Sequence, residues 1–283
     1  MVYLSRALAA AAVAGVVAAD ASKIHRKLLQ DFETESGVNV IVEFKGTVDE
    51  VINIPSKLEA ATVASRADFV RSALVEHAET AQAGAIRLLQ THSKLESALS
   101  TKQLWISNSL AIANAPKDLV DQLAKLPEVK AVRREAMGRL ITSEISTEFV
   151  AANTTEWGLD KIQVPQVWAK GYKGQGVVVG SIDSGARVTH EALKGNYRAE
   201  NGWFQPEGRS PTPEDLHGHG THTVGTSVGA NGIGVAPAAK WISCQGCLPS
   251  NKCPESVLVA CAQFMLCPHD AQGNNPRCDL APH

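Results

Sequence analysis

The run Val177-Val178-Val179-Gly180-Ser181-Ile182 closes on Asp183-Ser184-Gly185, and it constrains the fold more than any other stretch of the chain. A continuous apolar segment reads as a strand buried on both faces of a parallel sheet, whereas a half-exposed strand alternates. The surrounding residues are therefore expected to be α/β. A carboxylate at the carboxyl end of such a strand stands where open α/β sheets place ligands. Taken alone, Asp183 is equally readable as a turn residue. Gly174-Gln175-Gly176 is close by, but it precedes the strand, whereas dinucleotide-binding glycines follow one and open a helix.

Downstream, His217-Gly218-His219-Gly220-Thr221-His222-Thr223-Val224-Gly225-Thr226 gathers three histidines among small residues, so backbone must pass close to something there. Two chemistries fit. In one, His219 accepts a proton from a nucleophile while Asp183 holds its other ring nitrogen and stabilises the imidazolium. In the other, His217, His219 and His222 have the His-x-His-x-x-His spacing of a zinc hydrolase of the β-lactamase type. Such enzymes carry an aspartate where this chain has Thr221, and they place the motif in a sheet sandwich that is not evident in this sequence.

The rest of the chain divides in two. Arg6 followed by the apolar run Ala7 to Val17 and small residues at Val17-Ala18-Ala19 describes a secretory signal over residues 1–19. The cut falls after Ala19, or after Ala21 on an alternative reading. Residues 38–139 read as a compact α+β module. Strands are expected at Val38 to Phe44, in Lys102 to Ala113 and at Val129 to Arg134. Helices are expected at Arg66 to His92 and Lys117 to Leu126, with one further strand allowed for. Residues 140–155, rich in Ser, Thr, Glu and Asn, read as a linker or processing region. Asn153-Thr154-Thr155 is a glycosylation sequon.

All six cysteines (Cys244, Cys247, Cys253, Cys261, Cys267 and Cys278) fall in the last 40 residues, which together with the leader points to disulfides and export. Their pairing is open among 15 connectivities. Pro254 to Cys267 carries a helical apolar stripe, expected to face the core. Arg198 to Asp215 reads as a solvent-facing connector, with the border of a groove as the alternative. The 27 Lys+Arg against 29 Asp+Glu leave no basic excess for nucleic acid. No apolar run beyond the leader is long enough for a membrane span.

Several blocks taken in order resemble the subtilisin-like serine proteases. They are Asp183-Ser184-Gly185, His219-Gly220-Thr221-His222-Thr223-Val224-Gly225-Thr226 and Gly234-Val235-Ala236-Pro237. Trp157-Gly158-Leu159-Asp160 and Val164-Pro165-Gln166-Val167-Trp168 are similar to the start of the family's mature enzymes. The resemblance implies that 156–283 is the N-terminal half of a catalytic domain, an incomplete parallel sheet flanked by helices. It implies that 38–139 is a small ferredoxin-like propeptide of the inhibitor type. His219 would be the general base and Asp183 its orienter.

The family's nucleophilic serine and oxyanion asparagine come later than residue 283, so the resemblance implies a chain cut short, inactive as written, with an unpaired sheet edge. Gly225-Thr226-Ser227 does not fill the gap. Ser227 lies eight residues after His219 on one expected helix, a rise of ~12 Å, whereas a nucleophile needs ~3 Å. By resemblance the partners are protein or peptide substrates and the chain's own propeptide in the cleft, with the molecule secreted and monomeric. Calcium is common in the family, although no ligand set is identifiable. A non-catalytic, propeptide-like inhibitor is the remaining alternative.

Overall fold

The computed structural model describes residues 21–52, 62–91, 99–141, 155–208, 210–270 and 272–278. The expected leader and nearly all of the expected linker lie outside them. The N-terminal part begins with α1 (Arg26–Asp31), β1 (Val38–Phe44), α2 (Val48–Val51) and α3 (Val63–Thr91). It continues with β2 (Thr101–Leu104), β3 (Ser109–Ala115), α4 (Lys117–Leu123), β4 (Val129–Arg134) and β5 (Met137–Arg139). Four strands form one antiparallel sheet in the order β2-β3-β1-β4.

The alternation of β1 explains its place in the middle. Val38, Val40, Val42 and Phe44 join Leu110, Ile112, Leu119, Leu123, Val129 and Val132 in one buried cluster, closed by Ala85 of α3. Ile41 on the opposite face packs with Leu104, Ala111 and Val259, the last contributed by the second half of the chain. Residues 102–113, expected as one β-rich stretch, are two strands of a hairpin joined by the single 3-10 turn Trp105–Ser107. Asn108 closes that turn at φ 44°, and its Nδ2 donates to the Lys45 carbonyl at 3.1 Å. A polar residue that bonds the backbone locally tolerates this left-handed conformation.

The C-terminal part contains α5 (Trp157–Lys161), α6 (Val164–Ala169), β6 (Val178–Asp183), β7 (Trp203–Phe204) and α7 (His219–Val228). It ends with β8 (Lys240–Gln245), β9 (Lys252–Pro254) and α8 (Glu255–Leu266). Strands β6, β8 and β7 form a parallel sheet in that order, with Asp183 level with Gln245. The parallel direction agrees with the apolar run. Burial on both faces does not. Among the described residues β6 is an edge strand; Ile182 within it is 39% exposed, and Val177 just before it 50%. An apolar run records which residues can be covered, and β8 and α8 cover only part of this one.

The connector expectation for 198–215 also needs correction. Within it Trp203 is buried and pairs in register with Ser243 as part of β7. The helix expected at 254–267 is present as α8, with Val257, Cys261 and Phe264 buried. The cysteines pair as Cys244–Cys261, Cys247–Cys253 and Cys267–Cys278. The first staples β8 to α8, and the second closes the loop that carries β9.

The two halves meet along a polar seam. Strand β5 runs antiparallel to β9, with Gly138 opposite Cys253. Arg133 donates from both terminal nitrogens to Glu255, at 2.7 and 2.6 Å, and from Nε to Glu43 at 2.7 Å. The Ser256 amide in the first turn of α8 donates to Glu135 at 2.9 Å, and the Ala136 amide donates to Glu255 at 3.2 Å. A carboxylate at a helix N-terminus satisfies amides that have no intrahelical partner.

Candidate active site

Asp183 is the last residue of β6 and is 8% exposed. Its main chain is pinned from the far side, because the amides of Gly246 and Cys247 both donate to the Asp183 carbonyl, at 2.8 and 3.0 Å. The chain then turns sharply. The Ser184 amide donates to Asp183 Oδ1 at 2.6 Å. Gly185 follows at φ 118°, and a Cβ there would sit 2.0 Å from the Glu214 carbonyl oxygen. Only glycine fits both conditions.

His219 opens α7 immediately after Gly218, whose φ of 94° lets the chain enter the helix. The next residue explains how the helix comes so close to β6. A Cβ on Gly220 would lie 2.0 Å from the Gly185 carbonyl oxygen, so two backbones touch where side chains would hold them apart. The result is that His219 Nδ1 stands 2.7 Å from Asp183 Oδ1 and 2.9 Å from Oδ2. One helical turn on, the Thr223 hydroxyl lies within hydrogen-bond reach of both Asp183 Oδ2, at 3.2 Å, and the Gly220 carbonyl, at 3.0 Å.

These contacts set the protonation pattern. A buried carboxylate accepts, so Nδ1 carries the hydrogen and the neutral ring keeps its lone pair on Nε2. The imidazole side chain is 27% exposed and that of Asp183 is 11% exposed. A base that is reachable from solvent, held by an acid that is not, can take a proton at Nε2 and share the resulting positive charge with Asp183.

The other expected residues fall into place around this pair. Ser227 lies near the end of the same helix, with its hydroxyl donating to the Thr223 carbonyl at 3.0 Å, away from any role as nucleophile. The ring of His217 is 6.3 Å from that of His219, centroid to centroid, and its Nδ1 is buried without a hydrogen-bond partner among the described residues. His222 borders a separate cavity of about 770 Å³ beside α7, which neither Asp183 nor His219 lines.

The ligand atoms of the three histidines do not gather at one point. Among the described residues, the one cluster of three potential metal ligands is Asp68, Cys267 and Cys278, and both its sulfurs are spent in a disulfide.

Two participants were not singled out in the sequence. Thr223 reaches Asp183 directly. Asp215 gathers the entry to α7 from outside the helix, accepting from the amides of His217 and Gly218 just before it, at 3.0 and 2.8 Å, and from the Thr221 amide in its first turn at 2.8 Å. The signal for Asp215 was available as an acidic residue just before a helix start. The glycines and histidines between it and the helical residues hid it.

Comparison with known proteins finds relatives of the chain as a whole. Residues 174–272 match the model of the subtilase family. The chain is 29% identical to bacillopeptidase F of Bacillus subtilis over 298 residues, an alignment covering 92% of this chain and 20% of that protein. It is 31% identical to subtilisin-like protease 1 of Trichophyton verrucosum over 149 residues, 51% of this chain and 35% of the relative. The chain thus spans between a fifth and about a third of these relatives' lengths.

Among solved structures, the epidermin leader peptide processing serine protease of Staphylococcus aureus superposes with a TM-score of 0.54 at 19% identity. That match covers 82% of this chain and 48% of the neighbour. Fervidolysin from Fervidobacterium pennivorans, a keratinolytic enzyme related to subtilisin, does so with a TM-score of 0.50 at 16% identity, covering 84% and 35%. At these identities the superpositions speak for the fold.

Proposed function

We propose, on the premise that residues 174–272 belong to the subtilase family, that the protein is a secreted serine endopeptidase made as a zymogen. The observation that carries this reading is the contact of His219 Nδ1 with both oxygens of Asp183. Peptide-bond hydrolysis through an acyl-enzyme needs a base at Nε2, an orienter at Nδ1 and a serine. His219 and Asp183 supply the first two. The serine and the oxyanion donors are the parts that the reading still requires.

Residues 38–139 act as the propeptide in this reading. The strand order β2-β3-β1-β4, with helices between β1 and β2 and between β3 and β4, supports a ferredoxin-like module. Strand β5 lies antiparallel against β9 just ahead of residues 140–155, where processing is assigned. An extended segment paired with an edge strand is how peptides are commonly held, so β5 blocks that edge until the chain is cut. Three disulfides support residence outside the cell, with residues 1–19 as the signal. Protein substrates, a monomeric state and absence from membranes and nucleic acid complete the assignment.

The test uses the full-length protein. His219→Ala is expected to remove nearly all hydrolysis of a casein substrate, and Ser227→Ala almost none. Equal loss from the two substitutions would overturn the reading.

A further inference from the structure

The Asp183–His219 pair bridges two chain segments with no covalent tie near the contact, and its geometry must hold to a few tenths of an ångström to orient a base. The segment after β6 and the first turn of α7 are cross-braced by two hydroxyls. Ser184 Oγ accepts from the Gly220 amide at 2.9 Å and donates to Asp215 Oδ1 at 3.0 Å. Thr221 Oγ1 accepts from the Arg187 amide at 3.0 Å and donates to Asp215 Oδ2 at 2.6 Å.

One hydroxyl belongs to the aspartate's segment and reaches the helix, while the other belongs to the helix and reaches the aspartate's segment. Both end on the same carboxylate. That carboxylate also takes the amides of His217, Gly218 and Thr221, the last at 2.8 Å. Its own backbone is paired with Gly185 in an isolated antiparallel bridge.

We propose that Asp215 is a positioning residue: through Ser184 and Thr221 it locks the turn after Asp183 to the start of α7 and so fixes the His219 imidazole on its acceptor. The proposal rests on the reading of His219 as the base. An ionised carboxylate is what the site requires, because among the described residues the five groups hydrogen-bonded to Asp215 are all donors. An amide in its place offers one acceptor oxygen and turns an NH2 toward donors. Burial alone would raise the Asp215 carboxyl. The hydrogen bonds from the Thr221 side chain and from the Gly218, Thr221 and His217 amides outweigh it, holding the group below the ordinary carboxylate range.

The experiment follows the Nδ1 proton of His219 in the full 283-residue chain by NMR with 15N-labelled histidine, reading its exchange with solvent. Asp215→Asn and Thr221→Val are each expected to speed that exchange roughly tenfold, the scale set by loss of one charge-assisted hydrogen bond. Thr221→Ser, which keeps the hydroxyl, restores the original rate. The Ile242 amide in the sheet core serves as the control and keeps its protection in all variants.

Exchange within twofold of the unsubstituted chain for both Asp215→Asn and Thr221→Val overturns the proposal. So does equal loosening at Ile242, or a chain that shows no protected Nδ1 proton before substitution. Should Asp215→Asn fail to fold, the Thr221 pair decides. Proton exchange is independent of hydrolysis, so a chain that keeps the brace yet belongs to an inactive protein separates this proposal from the functional reading.

Discussion

Gly220 shows how a single atom can outweigh a propensity. In a helix interior, alanine is favoured over glycine by about 1 kcal/mol. At Gly220 the added methyl would lie 2.0 Å from the Gly185 carbonyl, a backbone atom with no rotamer to yield. Gly220→Ala is therefore expected to lower stability by about 2 kcal/mol, because overpacking against a rigid neighbour costs more than the helix gains. Urea unfolding measures it, and a stabilised variant would show that the two segments can part without cost. At this scale the sequence was legible where a residue's chemistry is stated by its neighbours. Asp183 and His219 stood out because a carboxylate closed an apolar run and an imidazole sat among glycines. Asp215 did not, because its partners are mostly backbone amides, which carry no residue identity.

At the scale of elements, legibility followed the length of the periodic signal. The apolar recurrence of α3 and α8 was readable over many residues. The break between β2 and β3 was not, because it depends on one left-handed asparagine within a stretch that is otherwise β-rich. Strand β7 was missed because two residues cannot show a period. The cysteine spacing left pairing open, and tertiary proximity alone decided it. Cys244 on β8 and Cys261 on α8 are both fully buried and are 17 residues apart. Replacing the two together with alanine is expected to reduce stability by about 3 kcal/mol, the loop-closure contribution for a segment of that length. The shift in the urea midpoint checks it, and an unchanged midpoint would mean that packing of Phe264 and Ile242 suffices.

At the scale of the whole molecule, the seam between the halves is tied by charge. Glu255 is held below the ordinary carboxylate range, first by its hydrogen bonds from Arg133, with the Ala136 amide adding to them and burial opposing. A carboxyl whose folded value is depressed stabilises the docked state above its unfolded value of about 4.3, and the contribution is lost as pH falls through the lower folded value. The seam is therefore expected to hold at neutral pH and to loosen in acid. Hydrogen exchange of the β5 amides between neutral pH and pH 3, corrected for intrinsic rates, measures it. Glu255→Gln should flatten the dependence, and an unaltered profile in that variant would place the acid sensitivity elsewhere.

Strand β1 serves two masters. Val42 points into the packing beneath its own helices, while its neighbour Ile41 meets Val259 from across the boundary. Truncating adjacent side chains should thus fail in different ways. Val42→Ala erodes the first half from within, and Ile41→Ala leaves it standing but ready to lift away. Two consecutive codons become separate dials, one for whether the first half exists and one for whether it stays.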